Sequence, residues 1–465
     1  MFVRNTCTND VRVLREADTL CRAGWTTTIM ALQTGGTKAP PDREVRDGVV
    51  IVRVPYPSDW RKRWHAMRSY PWRWVRRVPG NAVAALRSGP HGPRRAAGLL
   101  AAGIVVLPYA VIQRVRVMGG HRPASRPISL EDAWDHLAWW RYSALGWATA
   151  AAAAAPEADV YHGHDLTALP AAVDAARRHP GSAVIYDSHE LFLDAGLEAR
   201  QPWFVRTVLR RFERRLVRRV DAVITVNASI AKRLQDRYDA PPATIVRNAP
   251  PRQPVRTTRP DLLRPAAGIA PGAPVVLYHG GFQRDPGLEL LAEAMTDARL
   301  KGAHLVLLGF GPLEASLQSL AAEPRFGGRI HLLPAVPLDE LLERVASADV
   351  SAMPNQPRTE NERLSTPNKL FESIAVGTPV VSSDFPERRA IVIDDPDGPL
   401  GAVCDPTRPE AVAAALAEVI SLSPDAMADL RARCQRAAHE RYNWETESAR
   451  LLEVYARIGA ARSPS

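Results

Sequence analysis

The chain has 465 residues, 46% hydrophobic and 24% charged, with four cysteines and a formal net charge of +10. That length accommodates two packed domains. Cys7, Cys21, Cys404 and Cys434 show no paired or CxxC spacing, which argues against a disulfide framework or a zinc ribbon and for a reducing compartment. The opening residues, MFVRNTCTND, lack the apolar core of a signal peptide, so a cytoplasmic location is expected.

Taken in chain order, the pattern is strand then helix, twice over, which predicts two parallel α/β sheets. Only MFVRN precedes a helix from about Asp10, so the first strand is either unusually short or begins upstream. Strands are predicted at TTTIMAL, VVIVRVPYP, DVYHGHD, SAVIYDSHE, DAVITVN and ATIVRN, with helices such as DVRVLREADTLCRAG and SIAKRLQDRY between most of them. A second series follows at PVVLYHGG, AHLVLLGFG, RIHLLPAV, DVSAMPN and TPVVSSD. Short β-branched runs bounded by Gly, Pro or Asp suit strands buried on both faces. The expected organisation is an N-terminal Rossmann-like domain over 1–250, a Pro- and Arg-rich linker over 251–273, a C-terminal Rossmann-like domain over 274–440, and a helix over 441–465 packing across both. Two such sheets would face each other across a cleft, with ligands outside the carboxyl ends of the strands.

Residues 60–126 interrupt this alternation. Across residues 61–130 there are fourteen Arg or Lys and no Asp or Glu, mixed with Trp64, Trp72 and Trp74. The seventeen uncharged residues 96–112 are at the short limit for a membrane span and contain Gly98, Gly103 and Pro108. A single crossing would also divide one sheet between two sides of a membrane, so a span is rejected. Arg- and Trp-rich segments suit the interface of an anionic membrane instead. No recognition motif accompanies the charge, so nucleic acid is not an expected partner.

The stretch LSTPNKLFESIAVGTPVV carries the chemistry. Ser365 or Thr366 is placed to cap a helix whose first residue would be Pro367 and whose stop would be Gly377. Lys369 then falls in the first turn, where the helix dipole disfavours a cation. It is one of only five lysines among sixty basic residues. On a plain reading Lys369 and Glu372 form a weak surface ion pair, worth under about 1 kcal/mol. On a functional reading an anion meets the free amides, Lys369 adds charge, and Glu372 accepts from sugar hydroxyls.

PNKLFESIAVGTPVVSSDFP resembles the donor-binding signature of family 4 of the retaining GT-B glycosyltransferases. DVRVLREADTLCRAGW, VYHGHDLTALPAA, VIYDSHEL, DAVITVNASIAKRL, LYHGGFQRDPGLELLAEAM, VLLGFGPLEASL and RIHLLPAVPLDELLERVASADVSAMP match in family order. The resemblance implies a GT-B fold and a nucleotide-diphosphate sugar held by the second domain, with a glycan or lipid-linked acceptor on the first. It implies that Glu372 bonds the ribose, that Ser365, Thr366 and Asn368 face the diphosphate or sugar, and that backbone near Val336 meets the base. His189 corresponds to the histidine lining the sugar site, and Asp10 and Arg12 lie in a loop on the acceptor side, with His164 and Asp165. Gly280 and Gly281 belong to the phosphate loop. Gly281 and Pro286 stand where relatives often carry Arg and Lys, so Arg284 and Lys369 are the candidates to balance the leaving diphosphate. Leu364 replaces a glutamate that many relatives have. No metal or cofactor is implied, since the nucleotide sugar is a co-substrate.

Other signals are read as structural. His162, His164 and Asp165, with His189 and Glu190, resemble a metal cluster, but a histidine after a parallel strand more often orients a loop. Asp395 and Asp397 in DDPDG read as a turn. The seven arginines of FVRTVLRRFERRLVRRV read as a solvated or membrane-facing stripe. Two competing functions remain on the same scaffold: a nucleotide-sugar epimerase, and a catalytically degenerate binding subunit.

Overall fold

The computed structural model describes residues 1–35, 39–59, 128–283 and 287–460. These form two compact units, one of Met1–Val223 with Arg237–Pro241, the other of Ile224–Asp236 with Pro242–Ser465. The whole of the basic insertion, together with Arg284 and Pro286, lies outside the described residues.

In the first unit, helix α1 (Val11–Arg22) buries Val13, Ala17 and Leu20, an i, i+4, i+7 stripe, and Asp10 caps it by accepting from the Val13 amide. Strands β1 (Thr28–Gln33) and β3 (Val49–Pro55) pair in parallel, while β2 (Arg43–Arg46) joins β3 as an antiparallel edge. The sequence reading missed β2 because REVR is too charged to look like a strand. Its hairpin signal was Asp47–Gly48, both at positive φ (+49° and +84°), as a tight two-residue turn requires. The charged edge also resists pairing with another chain.

A second sheet runs in the order β4 (Val160–His164), β5 (Ala183–Ser188), β6 (Ala222–Thr225), β7 (Ala243–Ile245). Phe2 joins the two sheets as a single bridge residue, parallel to both Met30 and Gly163. Its amide donates to the His162 carbonyl and its carbonyl accepts from His164. The short first strand is therefore one bridge long. Helix α2 (Asp165–Arg178) follows β4 without a loop. Gly163 permits this, since a Cβ there would stand 2.9 Å from the Leu169 Cα. Helix α3 (Trp203–Val217) buries Val205, Leu209, Glu213, Leu216 and Val217. Its arginines are only partly a solvated stripe, because Arg206 and Arg210 converge on buried Asp194, where Arg237 joins them. Helix α4 (Ala228–Tyr238) crosses the division between the units.

The second unit holds one six-stranded sheet of β8 (Val275–Gly281), β9 (His304–Phe310), β10 (Ile330–Pro334), β11 (Val350–Met353), β12 (Val380–Ser383) and β13 (Gly401–Cys404). The order is β10-β9-β8-β11-β12-β13 with every pair parallel. Alternate residues serve opposite faces: Val276, Tyr278, Leu305 and Leu307 enter one core cluster, and Val275, Leu277, Val306 and Leu308 the other. The strand order reverses between β8 and β11, which makes their carboxyl ends the place where such a sheet opens to a ligand. Around it run α5 (Glu360–Leu364), α6 (Asn368–Ala375), α7 (Pro386–Val392), α8 (Pro424–Glu440) and α9 (Trp444–Ala460).

The division differs from the boundary expected at residue 250. Asn227 donates to the Leu364 carbonyl and the Ser229 amide to Glu387, so this stretch is tied to the second unit. The Arg247 amide donates to Glu447 and the Trp444 amide to the Pro250 carbonyl, which holds α9 within the second unit. Residues 251–273 do not behave as a free linker. Arg259 and Arg264 both pair with Asp349, and the Arg256 amide donates to Gln435. Proline and arginine there build a strap fastened by ion pairs, which composition alone does not distinguish from a flexible tether. Among the described residues no single helix is long and apolar enough to cross a membrane.

Candidate functional site

In the second unit Lys369, Glu372, Gly280 and Gly281 come together at the carboxyl end of β8. Helix α6 starts one residue later than expected. Pro367 is its N-cap in an extended conformation and no side chain caps the first turn. Both expected caps have other partners. The Ser365 hydroxyl donates to the Glu362 carbonyl at the end of α5, and the Thr366 hydroxyl accepts from Asn227 at 3.5 Å. The amides at the start of α6 are left without a side-chain acceptor, which is the arrangement that suits an anion. Gly377 ends the helix as expected, at φ +75° with its amide on the Ile374 carbonyl.

Lys369 and Glu372 do not form the expected surface pair. The Glu372 carboxylate takes its hydrogen bond from His279 Nε2 at 3.0 Å. Lys369 turns instead onto β8, its Nζ 3.8 Å from the centroid of the Tyr278 ring. Such a cation–π contact stabilises without neutralising. Burial pulls the Lys369 ammonium down to about 7, with Glu372 opposing and Arg388 adding to the fall. Among the described residues its Nζ has no ion pair. Gly280, at φ +119°, makes room for it, since a Cβ there would lie 3.1 Å from Nζ. The Gly281 carbonyl accepts from the Tyr278 hydroxyl at 3.0 Å. Val336 packs its side chain against the second core cluster. Tyr278, His279 and Arg388 were not singled out from the sequence. The histidine and tyrosine stand directly before the flagged glycines in LYHGG, which was the available signal.

The first unit holds a different assembly. Arg12 is no loop residue: it sits in the first turn of α1 and points inward, 4% exposed. Its guanidinium donates twice to Asp187, at 2.9 Å each, and meets Glu16 at 3.0 Å. His189 Nε2 lies 3.2 Å from Asp187 and 3.1 Å from His164 Nδ1, while its Nδ1 is 3.4 Å from Asp165. The His189 amide also donates to Asp165. His162 stacks on His164 with ring centroids 4.3 Å apart. Asp10 stays at the surface end of α1, held by Asn5.

The electrostatics follow from burial and neighbours. Burial pulls His189 down, but Asp165 and Asp187 outweigh it and hold the imidazolium up at about 9. Burial pushes Asp187 up, yet Arg12 and His189 keep it well below the usual carboxylate range. Glu16 is pushed up to about 8 by burial and Asp187, against Arg12. Burial pulls His164 down to about 4 and His162 well below its ordinary value. Near neutrality Arg12 and His189 are positive, Asp187 is negative, and Glu16, His162 and His164 are neutral.

Donor atoms of Glu16, His162, His164 and Asp187 lie within 4.8 Å of one another. This set differs from the one suggested by sequence, with Glu16 and Asp187 in place of Asp165, His189 and Glu190. Arg12 already lies on both carboxylates, so the cluster balances its charge from side chains alone.

Residues 273–421 match the family described as Glycosyl transferases group 1, and residues 96–249 match Glycosyltransferase Family 4. A D-inositol 3-phosphate glycosyltransferase of Xylanimonas cellulosilytica is 28% identical over 54% of this chain and 60% of its own length. A GDP-mannose-dependent alpha-(1-6)-phosphatidylinositol monomannoside mannosyltransferase of Mycolicibacterium smegmatis is 25% identical over 56% of this chain and 68% of its own. The match thus spans less than two thirds of the first of these relatives. A sucrose-phosphate synthase structure from Thermosynechococcus elongatus aligns at TM-score 0.62 and 16% identity, covering 97% of this chain and 93% of that one. An E. coli trehalose-6-phosphate structure with bound UDP-2-fluoro glucose aligns at TM-score 0.65 and 10% identity, covering 100% and 98%.

Two Rossmann-like units with parallel sheets, alike over their whole length to these structures, define the class: this is a GT-B fold. Within it, the two matched domains place the chain with the family 4 glycosyltransferases.

Proposed function

We propose that the protein transfers a glycosyl group from a nucleotide-diphosphate sugar to a cell-envelope glycan or lipid-linked acceptor, with retention of configuration. One observation carries this reading. Lys369 is a half-buried cation with no ion pair among the described residues, and it sits beside the uncapped start of α6 and the carboxylate of Glu372. A diphosphate supplies the missing negative charge, and Glu372, steadied by His279, accepts from ribose hydroxyls. By their names the relatives above act on D-inositol 3-phosphate and on a phosphatidylinositol monomannoside, and one structural neighbour holds UDP-2-fluoro glucose, which supports the substrate class.

In this reaction the bond from the anomeric carbon to the diphosphate oxygen breaks, and a bond to the acceptor oxygen forms on the same face. The acceptor proton passes to the departing diphosphate oxygen, so no carboxylate nucleophile is called for. Negative charge grows on the leaving oxygen, and fixed cations and amides there supply a large share of catalysis. Lys369 and the α6 amides fill that role, with Arg284 as a further cation. His189, a protonated and partly exposed imidazolium, serves the sugar side, and Asp10 and Asp165 the acceptor side. No metal is required. The protein works in the cytoplasm, held at the inner membrane face by its basic, Trp-rich segment.

The test is a panel of UDP-, GDP- and ADP-sugars. One of them should raise the melting temperature of the purified protein and, with a lipid or glycan acceptor, release its nucleoside diphosphate. If none stabilises the protein, the donor assignment falls. Appearance of an epimerised nucleotide sugar without acceptor would point to an epimerase instead.

A further inference from the structure

Arg388, on α7, is a charged residue that the reading above does not use. It is 1% exposed. Its Nε donates to the Ser365 carbonyl at 3.2 Å, and its Nη1 to Asn355 Oδ1 at 3.1 Å and to the Met353 carbonyl and Ser383 hydroxyl at 3.4 Å. Its Nη2 reaches the Ser365 hydroxyl at 3.4 Å, and the Phe385 ring lies 5.0 Å away. Each of these partners is neutral. Among the described residues no carboxylate touches the guanidinium. Buried arginines are almost always paired with an acid, because an unpaired buried charge is costly. Burial pulls its pKa down to about 10, with only the more distant Glu362 opposing.

The bonds themselves have a direction. Asn227 takes the Leu364 carbonyl at 2.7 Å, and Arg388 takes the next carbonyl, that of Ser365. In a trans peptide the carbonyl and the following N–H point opposite ways. The Ser365 and Thr366 amides are therefore aimed away from Asn227 and Arg388. Pro367 then opens α6, whose first turn has no side-chain cap.

We propose that Arg388 is a positioning residue for an anionic ligand of the nucleoside-diphosphate class: it latches the turn over residues 364–367 so that its amides face the ligand, and adds a positive field the ligand balances. The proposal rests on the reading of this unit as the donor site. Arg388 does not touch the ligand, being enclosed by protein. Its field also acts on Lys369, whose titratable and charged surroundings are Glu372 on α6, Tyr278 and His279 on β8, and Arg388 on α7. A neighbouring cation makes Lys369 harder to protonate, so removing Arg388 makes it easier.

The test is calorimetric binding of UDP, GDP and ADP to the full chain between pH 6 and 9, with melting curves for each variant. Arg388→Met should bind the preferred diphosphate about tenfold more weakly at pH 6.5, in line with a lost charge near a half-buried site. Its loss of affinity with rising pH should begin at higher pH than in the unaltered protein. Arg388→Lys keeps the charge but not the fork, so its affinity should fall while the pH at which affinity declines stays put. Unaltered affinity and pH dependence in Arg388→Met overturn the proposal. If Arg388→Met does not fold, Arg388→Lys decides, and binding equal to the unaltered protein overturns it. Lys369→Ala separates the two readings. If the unaltered protein binds none of the diphosphates, the donor site falls and the role of Arg388 with it. If it binds them, Lys369→Ala loses them and Arg388→Met does not, only the role of Arg388 falls.

Discussion

The charged clusters of the two units use similar residues to opposite ends. In the first, Arg12 and His189 are met at hydrogen-bond distance by Asp187, with Glu16 and Asp165 alongside. In the second, Lys369 and Arg388 face an aromatic ring, carbonyls and hydroxyls, and the carboxylate of Glu372 is engaged by His279. A cluster that balances itself holds a shape. A cluster left positive awaits an anion. Arg12 and Arg388 are buried alike, so the difference between them lies in what each cation was given as a partner.

The largest effect should come from breaking the balanced cluster. Asp187→Ala leaves Arg12 buried without its bidentate acceptor, and chemical denaturation should record a loss of about 3–5 kcal/mol. A loss below about 1 kcal/mol would mean that the pair is not the keystone of the first unit. Next comes Lys369→Ala, expected to reduce donor turnover by roughly 10²–10³-fold with the melting temperature held or raised, since the residue is a half-buried cation without an ion pair among the described residues. A stability loss with turnover intact would reverse the comparison.

A third prediction concerns pH. Free Lys369 titrates near 7, and a bound diphosphate raises that value by opposite-charge attraction. Donor affinity should be full below pH 7 and fall as pH rises above it, because binding must then take up a proton. Lys369→Arg, charged throughout, should flatten the curve. The sign for folding is opposite. The lysine pKa is lower folded than unfolded, so its contribution makes the protein more stable as pH rises from about 7 towards the ordinary lysine value. The smallest effect belongs to Glu16→Gln. Glu16 is held up at about 8 and is already neutral near pH 7, so an amide of the same shape should cost under about 1 kcal/mol by thermal melt.

Much of the fold was legible because parallel strands buried on both faces are short apolar runs, and eleven such runs stood out. REVR and GAVC did not, the first being a charged edge strand and the second too short. At the site, LSTPNKLFES marked the helix, its proline and its odd lysine, while the chemistry of each partner was hidden. Lys369 and Glu372 are three apart on one face, which suggests a pair, but β8 brings Tyr278 and His279 between other choices and separates them. Arg12 is near the N-terminus and Asp187 is 175 residues away, so local spacing could not announce their bond.

Periodicity and punctuation in the sequence were sufficient to determine two α/β units, the helix that opens at residues 367–368 and the charge asymmetry of the insertion, because these depend on neighbours within a few residues. Which charges are balanced was decided only in three dimensions. Asp187 reaches Arg12 and His189 through strand order, and among the described residues no acid pairs with Lys369 or Arg388 at the end of the second sheet. Coulomb energy depends on distance and burial rather than on position along the chain, and only the folded backbone sets those.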